Sequence, residues 1–285
     1  MDVTRCRNCG FCRGVRRAVD LALRLAGQGR HVLTDGELVH NSTVLRTLKM
    51  RHVWPWDGKE RRWKPPDCIL IGAHGVAPER RSYLRQLGRP VFDGTCPDVA
   101  RVAGKICHWR HLGHPMLLFG DADHPEIRGL AAHGGESLRV VRREKDLDHL
   151  SFTATAGRPP VLLAQTTAAW EEFFAISLAV RQRFPKTIVD DTICTSTKIR
   201  RSELVDWLER CTFDLVVVVG GKNSANTVRL AMAARALGFP TRHVADADEL
   251  ATGASFPGTR VLLASGTSTP DEDVDAVERL LQNWH

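Results

Sequence analysis

Three cysteines stand far apart in the chain, and each lies in a short segment typical of a loop. Cys12 lies within Gly-Phe-Cys-Arg-Gly-Val, Cys96 within Asp-Gly-Thr-Cys-Pro, and Cys194 within Thr-Ile-Cys-Thr-Ser. Thiolate sulfur is the usual ligand of an iron–sulfur cluster. Three sulfurs from three separate segments could therefore hold a cluster and leave one iron open to a substrate.

The other cysteines do not complete a better-known metal motif. Cys6, Cys9 and Cys12 have the spacing that opens a bacterial ferredoxin motif, but the Cys-x-x-x-Cys-Pro continuation is missing. Zinc is a minor alternative, because His124-Pro-Glu126 lacks the Pro-Cys-x-x-Cys half of a deaminase site and paired zinc knuckles are missing. Three more cysteines lie in or beside apolar segments and are expected to be buried packing residues: Cys68, Cys107 and Cys211.

Histidine and hydroxyl side chains mark several other loops. A lone histidine is usually structural, but here histidines accompany hydroxyl-rich turns and an amide, which are the donors that would surround a diphosphate. These loops contain His40, His74, His124-Pro-Glu126, Gln165-Thr166-Thr167, Ser224-Ala225-Asn226 and Thr267-Ser268-Thr269. The glycine-rich segment before Ser224 is no Walker A motif, because the Gly-x-x-x-x-Gly-Lys-Ser/Thr spacing fails.

A repeated pattern of apolar run, polar loop and helix must position these side chains. The apolar runs predict parallel strands buried on both faces, and they begin at Cys68, Met116, Val161, Leu215 and Val261. Helical patterns cover Val15 to Leu25, Ala169 to Arg183, Thr227 to Leu237 and Asp271 to Gln282. The alternation predicts an α/β fold whose polar loops lie at the carboxyl ends of the strands, where such sheets bind ligands. Arg51 to Pro66, rich in tryptophan and proline, is expected to be an irregular connection whose tryptophans serve packing.

The three widely spaced cysteines divide the chain into comparable parts, which suggests three small α/β lobes around a shared centre. The expected lobes are residues 1–96, 97–193 and 194–285, the last ending in a C-terminal helix. With 285 residues the chain can bury more than one core.

Composition narrows the possible partners and the compartment. No apolar run reaches membrane-spanning length and the N-terminus lacks the apolar stretch of a signal peptide, so we expect a cytoplasmic protein with no membrane partner. In that reducing compartment, cysteines are more often ligands or packing residues than disulfides. The net charge of +7 comes from scattered arginines more than from one basic face, which favours a solvated surface over nucleic-acid binding. A polyanionic small substrate would also suit this charge.

Taken together, the loops resemble the 4-hydroxy-3-methylbut-2-enyl diphosphate reductase family, which acts last in the methylerythritol phosphate route to isoprenoids. Nine segments match in the family's order over nearly the whole chain, although each alone is a weak signal. They are Gly10-Phe-Cys12-Arg-Gly-Val15, Val39-His40-Asn41, Ala73-His74-Gly75-Val76, Phe92-Asp-Gly-Thr-Cys96-Pro97, His124-Pro-Glu126, Gln165-Thr166-Thr167, Ile193-Cys194, Lys222-Asn-Ser224-Ala-Asn226 and Gly266-Thr-Ser268-Thr-Pro-Asp271.

The resemblance implies an iron–sulfur oxidoreductase, with mainly parallel sheets arranged pseudo-threefold around a central [4Fe–4S] cluster. Cys12, Cys96 and Cys194 would bind three irons, and the fourth iron would take the hydroxyl oxygen of the substrate. Glu126 would be the proton source, and Thr166 would lie near the reacting allylic end. Six side chains would hold the diphosphate: His40, His74, His124, Ser224, Asn226 and Ser268. A ferredoxin or flavodoxin would supply electrons, and isopentenyl and dimethylallyl diphosphate would be the products.

The chain departs from the family's pattern in three places. Asn8-Cys9 stands where Pro-Arg is usual, Ala225 replaces a second serine, and Lys198-Ile199-Arg200-Arg201 replaces a segment that usually reads x-Asn-Arg-Gln. Two alternatives therefore stay open: a diverged paralogue with the same cluster and a different hydroxylated substrate, or a non-catalytic cluster-bearing sensor. Cys9 bears on both, because a fourth sulfur on the cluster would block the substrate position.

Overall fold

Strands and helices alternate along the chain, as expected for an α/β protein. The computed structural model describes residues 1–57, 67–148, 150, 157–252 and 258–284. The strands are β1 (Asp2–Arg5), β2 (Val32–Asp35), β3 (Val53–Trp56), β4 (Cys68–Ile71), β5 (Val91–Asp93), β6 (Met116–Phe119), β7 (Leu138–Val141), β8 (Val161–Ala164), β9 (Ile188–Val189), β10 (Leu215–Val219), β11 (Thr241–Val244) and β12 (Arg260–Ser265). The helices are α1 (Arg13–Gly27), α2 (Ser42–Met50), α3 (Pro78–Gln86), α4 (Pro97–His111), α5 (Pro125–Gly134), α6 (Trp170–Arg183), α7 (Thr195–Arg210), α8 (Ala225–Ala236), α9 (Ala247–Thr252) and α10 (Asp271–Gln282).

The strands form three sheets, which confirms the predicted class of three α/β lobes. Each sheet has four strands, in the orders β1-β12-β10-β11, β3-β2-β4-β5 and β7-β6-β8-β9. The pairs β10–β11, β10–β12, β4–β5, β6–β7 and β6–β8 are all parallel. Parallel neighbours need long crossover connections, and the intervening helices provide them.

The central strands are buried along their whole length, as their uninterrupted apolar runs predict. Every residue of β4, β6, β8 and β10 is buried, because helices that cover both faces of a parallel sheet remove both sides of each strand from water. The four predicted helices are also confirmed as α1, α6, α8 and α10, with ends that shift by at most two residues. In the described ranges, no helix is both long enough and apolar enough to cross a membrane.

The predicted irregular connection contains a strand, so that prediction is wrong in part. β3 occupies Val53–Trp56 of the segment that starts at Arg51, and residues 58–66 lie outside the described part of the chain. β3 is an edge strand, where the missing N–H of Pro55 does not interrupt a hydrogen-bond ladder on both sides. Trp56 is buried, in line with the packing role expected of these tryptophans.

Two compact units make up the chain, and each has its own apolar core. The first comprises Met1–Val32, Gly36–Lys59 and Thr195–His285, and the second Leu33–Asp35 and Glu60–Cys194. In the first unit, alternate residues of β10 belong to two separate buried clusters, and β6 does the same in the second unit. Alternation of this kind is what a strand buried on both faces requires. The lobe boundaries after residues 96 and 193 remain predictions.

Candidate active site

Each of the three widely spaced cysteines lies at the start of a helix. Cys12 precedes α1, Cys96 precedes α4 and Cys194 precedes α7. Helix N-termini have unpaired N–H groups and a partial positive charge, which favour a negatively charged sulfur ligand. In the first unit, Cys12 Sγ accepts a hydrogen bond from the Val15 N–H at 3.5 Å, and the Cys12 N–H donates to the Thr267 carbonyl at 2.9 Å.

The other two cysteines of the N-terminal triplet pack into the core of the first unit. Cys6 is buried in the cluster that α7, α8 and β10 form, and Cys9 packs against the clusters on both faces of the sheet. The Cys9 thiol lies 3.9 Å from the Leu263 carbonyl. Burial raises the pKa of both thiols above the ordinary value, and a neutral thiol is a poor metal ligand. Both residues therefore have the environment of packing side chains.

The three cysteines expected to be buried differ in their environments. Cys68 is fully buried in β4, as predicted, and Cys211 is half-buried beside an apolar cluster. Cys107 is exposed, so its predicted burial is wrong. It follows the buried Ile106 on α4 and is therefore turned by about 100° toward solvent, where its Sγ lies 3.6 Å from Nδ1 of His133.

A buried pair, Glu126 and Thr166, forms the polar centre of the second unit. The Thr166 N–H donates to Glu126 Oε1 and the Thr166 hydroxyl donates to Oε2, each over 2.7 Å. Glu126 is only 1% exposed and Thr166 4%. Burying a carboxyl group is costly unless it is hydrogen-bonded, and Thr166 satisfies both oxygens. Glu126 is therefore not an ordinary surface glutamate in the first turn of a helix.

Two histidines extend this polar centre. His124 directly precedes α5, and its Nδ1 accepts a hydrogen bond from the Glu126 N–H at 3.2 Å. The ring of His74 meets the His124 ring edge-on, with centroids 5.4 Å apart. His124 thus lies beside Glu126, His74 lies beside His124, and both imidazoles can offer N–H donors to an anion.

Backbone hydrogen bonds join two of the cysteines to the same part of the second unit. The Cys194 N–H donates to the Thr166 carbonyl, and the Cys96 N–H donates to the carbonyl of Ala73, the residue before His74, each over 2.9 Å. These loops follow β4, β5, β6, β8 and β9, so they lie at the carboxyl ends of the strands as predicted. The second unit therefore brings together every candidate residue that the sequence places within it.

In the first unit, three loops meet at Ser268. The Ser268 hydroxyl lies 3.3 Å from Ser224 Oγ and 3.5 Å from the His40 carbonyl. Asn41 Nδ2 donates to the Ser268 carbonyl at 3.0 Å. Gly221 permits this convergence, because a Cβ at that position would lie 2.4 Å from the His40 carbonyl. Cys12 reaches the same loop through its hydrogen bond to Thr267.

The side-chain amide of Asn226 is a buried hydrogen-bond donor without an acceptor among the described residues. It is 3% exposed and lies in the first turn of α8, and within the described residues its Nδ2 has no hydrogen-bond partner. Leaving a buried donor unsatisfied costs about 1–3 kcal/mol. An oxygen of a bound anion at this helix N-terminus would satisfy it.

Arg200 is a candidate that the sequence interpretation missed. This buried side chain donates from Nη2 to the Gly10 carbonyl at 2.7 Å and from Nη1 to the Ser265 carbonyl at 3.1 Å. It thereby ties the segment before Cys12 to the segment before Ser268. Helical spacing offered a signal, because an arginine on the core-facing side of a helix needs a partner. The buried positions of α7 are Thr197, Arg200, Leu204 and Leu208.

Nearly the whole chain matches one known protein family. The family is described as LytB protein, and the match covers residues 3–282. A protein of Opitutus terrae named 4-hydroxy-3-methylbut-2-enyl diphosphate reductase is 36% identical over 281 residues, covering 95% of this chain and 96% of that protein. A protein of the same name from Aquifex aeolicus is 33% identical over 289 residues, covering 99% and 96%.

Two solved structures resemble the fold closely. One is the (E)-4-hydroxy-3-methyl-but-2-enyl diphosphate reductase described as the terminal enzyme of the non-mevalonate pathway, with 31% identity, a TM-score of 0.73 and 99% of each chain covered. The other, the E-1-hydroxy-2-methyl-but-2-enyl-4-diphosphate reductase from Plasmodium falciparum, has a TM-score of 0.89 at 22% identity and supports the fold alone. The match with the Plasmodium falciparum structure covers 99% of this chain and 88% of the Plasmodium chain. Because the match covers residues 3–282 of its 285, this chain belongs to the LytB protein family.

Proposed function

We propose that the protein reductively removes the allylic hydroxyl of 4-hydroxy-3-methylbut-2-enyl diphosphate and forms isopentenyl and dimethylallyl diphosphate. One C–O bond breaks and one C–H bond forms, while two electrons and two protons are consumed and one water leaves. The observation that carries the proposal is the buried Glu126–Thr166 pair, whose Thr166 carbonyl accepts from the Cys194 N–H. The names of full-length relatives support the choice of substrate.

Cys12, Cys96 and Cys194 would hold a [4Fe–4S] cluster through three of its irons. The donor set fits, because all three are thiols outside any disulfide and each lies at a helix N-terminus. The packing of Cys9 against both apolar clusters of its sheet favours three sulfurs rather than four for this role. When bound, the cluster supplies single electrons and a Lewis-acidic iron.

The diphosphate would be bound by hydroxyl, amide and imidazole donors. In the first unit, the hydroxyls of Ser224 and Ser268 lie 3.3 Å apart, and Asn226 Nδ2 has no acceptor among the described residues. Hydrogen bonds to a charged phosphate are stronger than neutral ones, so such a site favours a diphosphate over an uncharged group. The imidazoles of His40, His74 and His124 would complete the set.

Glu126 would supply the proton that leaves with the hydroxyl, and Thr166 would pass it on. When Glu126 is protonated, its Oε2–H can donate to the Thr166 oxygen, while the backbone N–H of Thr166 stays on Oε1. The Thr166 hydroxyl hydrogen is then available to the departing oxygen. This arrangement places a positioned acid beside a poor leaving group, which is what general acid catalysis requires.

One observation favours a different hydroxylated substrate on the same site. Ala225 is the first residue of α8, between Ser224 and Asn226, and offers no hydroxyl where the family usually has one. A substrate with a differently placed anionic group would suit this change. The sensor alternative has less support, because a protein that only senses through its cluster needs no buried acid such as the Glu126–Thr166 pair.

Anaerobic turnover tests the proposal. Protein loaded with iron and sulfide is mixed with dithionite and 4-hydroxy-3-methylbut-2-enyl diphosphate, and the products are identified by mass spectrometry. We expect both five-carbon diphosphates. Glu126→Gln should keep its iron and lose turnover by at least about 10²-fold. Glu136→Gln, at an exposed position just after the end of α5, should behave like wild type. An iron-loaded wild type that leaves the substrate intact contradicts the proposal.

A further inference from the structure

The exposed face of α1 concentrates positive charge in a shallow groove. The groove has a volume of about 420 Å³. It is lined by Arg13, Arg16, Arg17, Asp20, Leu21 and Arg24. Four arginines against one aspartate leave these residues with a net charge of +3. Such a groove is suited to a negatively charged partner.

Helical spacing explains why these side chains share one face. Arg13, Arg17 and Arg24 are separated by four and seven residues, which places them on the same side of a helix. The opposite side of α1 is buried through Ala18 and Ala22. All three arginines are exposed. Leu21, half-buried, provides an apolar floor to the groove.

Arg16 shows that part of the charge on this helix already has a structural use. Its Nη2 lies 2.5 Å from Asp271 Oδ2 at the start of α10, which ties α1 to the loop that contains Ser268. Removing Arg16 would thus disturb the first unit. Substitutions at Arg17 and Arg24 leave this ion pair in place.

The groove begins beside one of the proposed cluster ligands. Cys12 directly precedes α1 and is fixed there by its contact with the Val15 N–H. With a rise of 1.5 Å per residue, Arg17 is about 8 Å and Arg24 about 18 Å along the helix axis from Cys12. A protein seated on this face would lie next to that sulfur.

We propose that an acidic one-electron carrier protein docks on the arginine face of α1 and delivers electrons at Cys12. This inference rests on the proposed function, whose reaction consumes two electrons per product. Two reduced carriers are each oxidised by one electron in every turnover, and the two protons come from Glu126 and solvent. Complementary charge accelerates such encounters and makes them sensitive to salt.

The test compares a small reductant with a protein reductant. Arg17→Glu/Arg24→Glu is assayed with dithionite and, separately, with a plant-type [2Fe–2S] ferredoxin of acidic surface. With dithionite, we expect turnover within about twofold of wild type, because the site is intact. With ferredoxin at low salt, we expect the KM for ferredoxin to rise at least tenfold, and the salt dependence seen in wild type to flatten.

Two matched variants distinguish an effect of the α1 face from an effect of the protein's overall charge. Arg17→Lys/Arg24→Lys keeps the charge and should keep most of the ferredoxin affinity. Arg181→Glu/Arg183→Glu makes the same charge change at exposed positions of α6 and should leave the KM for ferredoxin unchanged. If the α6 variant loses as much affinity as the α1 variant, the docking site is not on α1.

Failure of the docking site and failure of the proposed function give different results. Dithionite turnover with an unchanged ferredoxin KM in Arg17→Glu/Arg24→Glu overturns the docking site alone. An iron-loaded wild type without dithionite turnover overturns the proposed function. In that case, calorimetric binding of ferredoxin to the loaded protein still tests the docking site. Loss of binding in the α1 variant but not in the α6 variant supports docking on α1, and equal binding in both variants contradicts it.

Discussion

Thr166 donates hydrogen bonds to both oxygens of the Glu126 side chain, from its N–H to Oε1 and from its hydroxyl to Oε2, each over 2.7 Å. One residue thus fixes the position of a carboxyl group that is 1% exposed. The carbonyl of the same residue accepts from the Cys194 N–H. A single threonine therefore links the proposed proton source, Glu126, to the proposed cluster ligand Cys194 in the second unit.

Replacing Thr166 by valine should remove the proposed path of the proton from Glu126 while the backbone still holds the Glu126 side chain in place. Valine keeps the backbone hydrogen bond but removes the hydroxyl, so Oε2 loses the hydrogen bond from Thr166. We expect kcat to fall by about 10²-fold and the free energy of unfolding to fall by about 1–3 kcal/mol. Thr166→Ser restores the hydroxyl and should recover most of the rate. Steady-state kinetics with dithionite and thermal unfolding measure both effects, and a valine variant at wild-type kcat would remove Thr166 from the proton path.

The N-terminal cysteines should differ sharply in their effect on iron content. Cys9→Ala removes a packing side chain, so the loaded protein should keep its iron and its visible absorbance. Cys12→Ala removes a proposed ligand and should lose most of both. Metal analysis after anaerobic loading measures the iron. Iron loss in the Cys9 variant, with retention in the Cys12 variant, would reverse the assignment.

Ala225 tests which substrate the site prefers. Ala225→Ser restores a hydroxyl at the first residue of α8, beside Ser224 and Asn226. If the substrate is 4-hydroxy-3-methylbut-2-enyl diphosphate, we expect KM to fall by about tenfold or more, since a hydrogen bond to a charged group contributes about 1.5–3 kcal/mol and about 1.4 kcal/mol is a factor of ten. Ala225→Gly, without a hydroxyl, is the control. A higher KM in the serine variant favours a different substrate.

Asp273 should make stability depend on pH. Burial raises its pKa to about 6, with Asp246 and Glu272 acting in the same direction and Arg46 opposing them. Because this value exceeds the ordinary 3.8, the folded protein binds the proton more tightly than the unfolded chain does. Ionised Asp273 therefore lowers the free energy of unfolding by its full amount above about pH 6, and this destabilisation disappears as the pH falls toward 4.

Asp273→Asn should consequently stabilise the protein at pH 7.5. The shift corresponds to about 3 kcal/mol, which solvent screening of this half-buried group reduces to about 1 kcal/mol, or about 2 °C in Tm. The gain should shrink to about half near pH 5. Glu272→Gln, at the exposed neighbouring position, is the control. An equal gain at both pH values would rule out titration of Asp273 as its cause.

The sequence predicted the class of fold and the loops of the site because both follow local rules. The apolar runs at Met116 and Leu215 predict strands buried on both faces, and α10 begins and ends where its pattern does. The polar loops then fall at the carboxyl ends of strands by topology alone.

The parts that the sequence did not predict depend on tertiary contacts. The strand at Val53–Trp56 is stable only as the edge of its sheet, and the exposure of Cys107 depends on the phase of α4 against its core. Arg200 is buried because three backbone carbonyls from distant segments accept its hydrogen bonds. The Glu126–Thr166 pair likewise joins residues 40 positions apart, which no local pattern reveals.

The most direct test of the central claim is one turnover in deuterated water. Iron-loaded protein is reduced with dithionite, mixed in D2O with less than one equivalent of 4-hydroxy-3-methylbut-2-enyl diphosphate and quenched for mass spectrometry. The proposed function predicts isopentenyl and dimethylallyl diphosphate that have lost the hydroxyl and carry one deuterium in the new C–H bond. Unchanged substrate, recovered from protein that kept its iron throughout, would contradict it.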